Sequence, residues 1–447
     1  MLAAIRRWFD DNILELGREM RLSYLPPLMV YVAAGVSGLT GIVGTFFVKE
    51  YLGLSAAFLA ALGFWAGIPW ALKMPLGHLV DLIWRHKAGL VWLGATLIAA
   101  SLLIMLGLVA EPGRMGEIMS LEAWFVVSAL LSPVGYVLQD VVADAMTVEA
   151  VPRVNEQGET LPPEARRLMN TTLQTLGRVA IIGGGVLVSL VNVLMFQGVE
   201  SLPNAARVAI YAQVYGMALV IPAISVAGVL LASLIKCREM ARLRARGFDE
   251  TSLRALLEPP LDAVKPDWWI LGGSLVFVAI SVSVGVSQLE FGQEIIFLGS
   301  FAVITFLMSK LLRELDEDSR RTLLGTAIVI FVFRAMPGPG AGSTWWMIDV
   351  LGFDQSFLAK LSLIASVLTL FGLFGFRRFM GERSIAYIVG FLTLTGTLLS
   401  LPTLGMYYGL HEWTAAHTGG VVDARFIALI DTALESPLGQ IAMVLSL

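Results

Sequence analysis

The sequence predicts an all-α polytopic membrane protein of about twelve spans arranged as two helical bundles. Three observations carry this expectation. Twelve stretches are each long and apolar enough to cross a bilayer, in a chain that is 57% hydrophobic and only 15% charged. The basic residues fall on alternate connections. A handful of charges sits inside the spans themselves. Each helical residue rises about 1.5 Å against a hydrocarbon core of about 30 Å, so about 20 apolar residues suffice.

The predicted spans are 24–48, 54–73, 88–110, 121–148, 170–195, 210–235, 268–289, 293–312, 322–347, 356–376, 384–408 and 424–447. Helices are expected because backbone polar groups in lipid must be satisfied within the segment, and no alternating strand-length pattern competes. With the N-terminus placed in the cytoplasm, 24 of the 31 Lys and Arg residues lie on cytoplasmic segments. Only Lys49, Arg114, Arg207 and Arg425 lie outside, and Arg178, Arg334 and Lys360 fall within spans. That asymmetry is the positive-inside pattern. It predicts a multi-pass protein of the cell inner membrane.

Residues 1–23 mix acids with bases and repeat Ile5, Trp8, Phe9, Ile13, Leu16 and Met20 at helical spacing. This predicts an amphipathic cytoplasmic N-terminal helix on the inner leaflet rather than a cleaved leader. Residues 24–235 form the expected N-terminal six-helix bundle. The basic stretch 236–266, with Pro259, Pro260 and Pro266, is the expected cytoplasmic linker. Residues 267–321 read as an inserted helix pair or as part of the second bundle. Residues 322–447 form the C-terminal bundle, complete or cut short.

Net charge is −4, which offers a polyanion no partner. The single cysteine, Cys237, excludes a disulfide framework. There is no GxxxxGK[ST] loop and no nucleophile–base arrangement, so neither an ATPase nor another enzyme is expected. The four histidines lack metal-ligand spacing, and neither cofactor nor metal is expected.

Four groups of residues carry the candidate chemistry. Lys73, Gly77, Asp81 and Arg85 lie where the second span exits, in a short loop suited to a cytoplasmic latch between bundles. Its plainer reading is an ordinary basic loop. In the fourth span, Asp140 and Asp144 lie four apart and so share a helix face. Carboxylates within a span are costly, and two close ones can share a proton and release it as water access alternates. The competing reading is a structural ion pair, for which Arg178 matches Asp140 in depth on the next helix. Asp431 and Glu435 repeat the four-residue spacing in the last span and are further proton-coupling or gating candidates. Arg334 sits mid-span before Pro337-Gly338-Pro339-Gly340, a run that breaks a regular helix. Broken helices at membrane depth line cavities or are buried in protein. Arg334, Arg178, Ser343 and Trp345 are therefore the substrate-binding candidates, the arginines as anion anchors. Arg334 paired with Glu435 or Asp431 is the alternative.

Glycines cluster within spans, at Gly35, Gly38, Gly41 and Gly44 and at Gly183, Gly184 and Gly185. They predict close helix crossings, and sliding surfaces if the bundles move.

Several of these runs resemble the folate–biopterin transporter family of the major facilitator superfamily. They are Trp70 to Asp81, Gln139 to Ala145 with Glu149, Arg334 to Phe376, and Asp431-x-x-x-Glu435-x-x-x-Gly439-Gln440-Ile441. Two departures stand out: Met74 intervenes before Pro75, and Arg334 replaces a usually uncharged residue. The resemblance implies a secondary active transporter that works by alternating access. Its expected cargo is a small organic anion, pteridine- or folate-like, carried with protons by symport, and it is expected to act as a monomer among membrane lipids without nucleic acid. The alternative is a non-transporting assembly factor or lipid-handling protein of the same fold. Aligned to the family, residues 268–312 are an inserted pair and two final helices are missing; otherwise a plain six-plus-six arrangement holds.

Overall fold

The computed structural model describes residues 14–152, 161–247, 265–287, 289–313, 315–335, 338 and 340–444. Among these residues the chain is helical throughout, with no strand. Among the described residues, ten helices are long and apolar enough to cross a membrane. The protein is thus the all-α, multi-pass chain that the hydropathy predicts.

The first span begins as a 3-10 turn, Leu22–Tyr24, and continues as α1 (Leu25–Gly35), a second 3-10 turn (Val36–Thr40) and α2 (Gly41–Glu50). The second span is α3 (Ala56–Ala71) and α4 (Lys73–Leu82), followed by α5 (Ala88–Ala110), α6 (Leu121–Ala150), α7 (Pro163–Met195), α8 (Asn204–Ala218) and α9 (Val220–Ala245). Then come α10 (Trp268–Ser287), α11 (Gly292–Arg313), α12 (Glu317–Arg334), α13 (Gly340–Asp349), α14 (Gln355–Gly375), α15 (Ile385–Leu399), α16 (Leu401–Tyr407) and α17 (Ala424–Val444).

Two expected spans fall short of the ten. The first is divided: α12 ends at Arg334 and α13 starts at Gly340, whose φ of +58° suits glycine. The expected break is therefore real at both ends, while Met336, Pro337 and Pro339 lie outside the described residues. The second, α17, keeps its length but carries Arg425, Asp431 and Glu435 and so lacks an uncharged apolar run.

One expectation is overturned. Lys73–Asp81 is not a loop but the body of α4. Val80 on this segment is buried and Leu76 packs beside it on the core, and that burial favours a further helical turn over an exit loop. The N-terminal amphipathic helix lies mostly outside the described residues. Its described part is a single turn, Glu15–Arg18, with Leu16 buried. The linker's residues 248–264 also lie outside.

The chain divides into two compact units that cut across its order. One holds residues 1–34, 61–181 and 215–316, the other 35–60, 182–214 and 317–447. In the first unit, Tyr31, Val80, Val91, Val142, Leu173 and Val229 join α1, α4, α5, α6, α7 and α9 in one buried cluster. The α10–α11 pair belongs to this unit. Phe277, Val284 and Ile296 pack on Phe64, Trp65, Ile68 and Leu72 of the second span. In the second unit, Phe353, Phe357, Met406, Ile427 and Ala428 form the core between α14, α16 and α17.

Of the glycine-rich runs, Gly35 and Gly184 make a close crossing, whereas Gly38, Gly41 and Gly183 have open space at the Cβ position, and further close crossings fall at glycines outside the runs. A Cβ on Gly184 would lie 2.8 Å from the Gly35 backbone carbon, and one on Gly94 would lie 2.6 Å from the Gly135 carbonyl oxygen. At Gly372, an added Cβ would run into the Pro437 carbonyl. Polar caps fix the helix starts. Ser120 accepts from the Ala123 amide at 3.3 Å and Asp354 from the Phe357 amide at 2.6 Å.

Candidate functional site

The break between α3 and α4 places the central cation of the first unit. Pro69 lies within α3, Leu72 leaves helical geometry (φ −87°, ψ 3°), and Lys73 becomes the first residue of α4. Pro75 falls in the first turn of α4, where a missing amide hydrogen is tolerated. Lys73 Nζ lies 2.7 Å from Asp140 Oδ2 and 3.2 Å from Asp144 Oδ2. The Tyr31 hydroxyl donates to Asp144 Oδ1 at 2.8 Å. One ammonium and one phenol thus serve the two carboxylates that α6 presents on one face. Asp140 is the more enclosed of the pair, with 18% of its side chain exposed against 47% for Asp144.

The rest of the α6 polar row is also satisfied. The Gln139 amide donates to the Val91 carbonyl at 3.4 Å, and its oxygen accepts from the Ser225 hydroxyl at 2.9 Å. Glu149 accepts from Lys87 at 2.7 Å, and the Lys87 ammonium also lies 4.0 Å from the centre of the Trp84 ring. Every acid of the run Gln139–Glu149 therefore has a cation from the second span or from the start of the third.

This arrangement corrects one pairing expected from depth alone. Asp140 binds Lys73, not Arg178. Arg178 forms no ion pair among the described residues, and its Nε is buried without a hydrogen-bond partner. The ammonium reaches Asp140 first because the helix break turns Lys73 toward α6. Sequence reasoning placed Lys73 in a latch and missed this role; the available signal was a lysine just ahead of a proline at the end of an apolar run. Of the other latch residues, Gly77 lies within α4 with open space where a Cβ would go, and Asp81 and Arg85 are exposed.

In the second unit the candidates do not converge. Arg334, the last residue of α12, is exposed and makes no ion pair among the described residues, so the expected Arg334–Glu435 and Arg334–Asp431 pairs are not formed. The break ends its helix and leaves its side chain in the open. Ser343 donates to its own helix at the Gly340 carbonyl, 3.0 Å away. Trp345 is partly buried, and its neighbour Trp346 stands 5.9 Å from the Tyr407 ring. Asp431 accepts from the Thr403 hydroxyl at 2.7 Å, while its other oxygen is buried without a partner. Glu435, one turn further on, is exposed.

The second unit also holds a set of polar contacts that sequence reasoning did not anticipate. Lys49 at the end of α2 forms an ion pair with Asp349 at the end of α13. Ser189 of α7 lies 3.0 Å from Ser362 and 3.2 Å from Ser366 of α14. The Gln355 amide donates to the Tyr211 hydroxyl at 2.9 Å. Each contact joins a helix of the first six spans to one of the last four. Among the described residues, no group of His, Cys, Asp and Glu could hold a metal ion.

A curated relative, the "Folate-biopterin transporter" of Synechocystis sp., is 23% identical over 442 residues, covering 98% of this chain and 69% of that protein. Among solved structures, the crystal structure of a D-xylose–proton symporter is a loose likeness. Its TM-score is 0.37 at 15% identity, over 95% of this chain and 78% of that one. The BT1 family matches over residues 34–442. That match spans nearly the whole chain: it belongs to the BT1 family and is a membrane transporter rather than an enzyme.

Proposed function

We propose that this chain is a secondary active transporter that moves a small organic anion by alternating access, with protons as the coupling ion. The observation that carries the reading is the Lys73 ammonium held between Asp140 and Asp144. Two carboxylates and one ammonium leave the cluster one negative charge. A single proton makes it neutral, and a neutral cluster costs far less to carry past hydrocarbon than a charged one. Proton binding to a carboxylate also weakens its hold on Lys73, so protonation and helix movement become linked. Asp431 and Glu435 are secondary candidates for the same work.

Anion binding falls to arginine. Arg178 is a partly buried cation with no carboxylate on it among the described residues, and Arg334 stands beside the broken helix with Ser343 and Trp345. A guanidinium holds a carboxylate through two parallel hydrogen bonds, and an indole face suits a heteroaromatic ring. The name of the Synechocystis relative supports a pteridine- or folate-like cargo. In this reading the bundles 24–235 and 322–447 rock about the site, and 267–321 packs as an added pair. Lys49–Asp349 and Ser189 with Ser362 and Ser366 close the outer side, as contacts small enough to break. Gly77, Asp81 and Arg85 serve the cytoplasmic side. The protein works as a monomer in the inner membrane with its N-terminus in the cytoplasm.

The test is uptake of folic acid and biopterin by proteoliposomes under an imposed pH gradient. Wild-type protein should accumulate one of them in proportion to the gradient, and Asp140→Asn should not. Uptake indifferent to the gradient and intact in Asp140→Asn contradicts proton coupling.

A further inference from the structure

Asp431 is a carboxylate within α17 that meets no cation among the described residues. Its Oδ2 accepts from the Thr403 hydroxyl at 2.7 Å, and its Oδ1 is buried with no hydrogen-bond partner. The acids of α6 differ, since Asp140, Asp144 and Glu149 each have a lysine. Thr403 fills one of about four acceptor sites on the carboxylate, so most of its capacity is unused. An enclosed acceptor without a donor is costly, and a ligand that brings donors relieves that cost.

Two aromatic rings belong to the same region of the second unit. Tyr407 lies one turn after Thr403 on α16 and shares its face. Its ring centre is 5.9 Å from that of Trp346. Trp346 packs on the cluster that includes Ile427 and Ala428, the turn of α17 before Asp431.

This pairing of acceptor and rings selects a ligand chemistry. Pterin, the 2-amino-4-oxopteridine ring shared by folic acid and biopterin, carries two parallel donors on one edge, its 2-amino group and N3–H. A carboxylate accepts both, as it does from a guanidinium. The flat face of the ring suits stacking against indole and phenol.

We propose that Asp431 recognises the ring of the cargo, its carboxylate accepting both donors of the pterin edge while Trp346 and Tyr407 take the ring face. The inference rests on the transport reading above, in which the site opens to each side in turn. It leaves the proton to Asp140 and Asp144.

The test is equilibrium dialysis of the detergent-purified full chain against pterin and against lumazine, the analogue with a carbonyl at C2. Wild-type protein should bind pterin about ten-fold more tightly or better, the worth of one hydrogen bond to a charged group. Asp431→Asn should invert the preference, because an amide donates to the C2 carbonyl of lumazine while accepting from N3–H. A purely structural role for Asp431 would weaken both rings alike. Tyr407→Leu should weaken both about five-fold and keep the preference, through lost stacking. Equal binding of the two rings by wild-type protein, or an unchanged pterin preference in Asp431→Asn, overturns the assignment and leaves the transport reading standing. Failure of wild-type protein to bind pterin, folic acid or biopterin removes the pteridine cargo itself, and the assignment with it. Where Asp431→Asn fails to fold, the wild-type preference and Tyr407→Leu decide: undiminished binding of both rings by Tyr407→Leu contradicts the assignment.

Discussion

The acidic pair of α6 and the acidic pair of α17 look alike in sequence and end in different surroundings. Both place two carboxylates four residues apart within an expected span. In α6, Asp140 and Asp144 receive the Lys73 ammonium and the Tyr31 hydroxyl. In α17, Asp431 receives only the Thr403 hydroxyl among the described residues, and Glu435 is exposed. Spacing sets which acids share a face; the charge that answers them comes from another helix. The contrast separates a charge-compensated cluster, suited to exchanging a proton for an ion pair, from a site held by a single neutral donor.

The largest effect should come from Lys73→Ala. It leaves two facing carboxylates without a cation, a loss that costs about 3–5 kcal/mol when fully buried and about 1–3 kcal/mol at this partial exposure. Thermal unfolding in detergent measures it. The double variant Lys73→Ala/Asp140→Asn should recover much of the loss, because it removes charge along with counter-charge. If the single variant melts like wild type, the α6 pair is no more compensated than the α17 pair and the contrast fails.

A packing control comes next. Gly372→Val places a side chain against the Pro437 carbonyl and should cost about 1–3 kcal/mol through overpacking. Gly183→Ala, with open space at its Cβ position, should be nearly silent in the same melting experiment. Equal effects would mean that close crossings do not hold the α14–α17 contact.

Smaller effects sharpen the contrast itself. Tyr31→Phe removes one donor to a carboxylate and should destabilise by about 1–2 kcal/mol. Thr403→Val should cost about 1 kcal/mol, since it leaves Asp431 with no donor. In transport assays the two should part company. Tyr31→Phe should shift the pH dependence of uptake, because its hydroxyl touches the proposed coupling cluster, and Thr403→Val should change the rate with the profile in place. A shift in both would make the α17 pair an equal partner in coupling.

Much of the fold was legible in composition and hydropathy. Ten expected spans are helices of membrane length, and the broken ninth follows from Gly338 and Gly340 among prolines. The acidic row of α6 was legible because charge within an apolar run is conspicuous. Its partners were not. Lys73 stands at the edge of its apolar run, where a lysine looks like an ordinary flanking charge, and only the turn at Leu72 aims it inward. Tyr31 sits among apolar residues and carries no polar signal until packing brings Asp144 to it. Matching helices by depth gave Asp140–Arg178, because depth fixes height in the membrane but not rotation about the helix axis. The same limit explains the unformed Arg334–Glu435 pair. Contacts such as Lys49–Asp349 and Ser189 with Ser362 join residues far apart in the chain, so neither spacing nor periodicity could announce them.

The most direct measurement is proton movement itself. A pH-sensitive dye sealed inside proteoliposomes should report lumenal acidification when folic acid or biopterin is added outside wild-type protein without an imposed gradient. Asp140→Asn should abolish that signal while still exchanging the same compound across the membrane. Acidification that persists undiminished in Asp140→Asn, or uptake by wild-type protein with no proton movement at all, contradicts the role given to the Lys73–Asp140–Asp144 cluster.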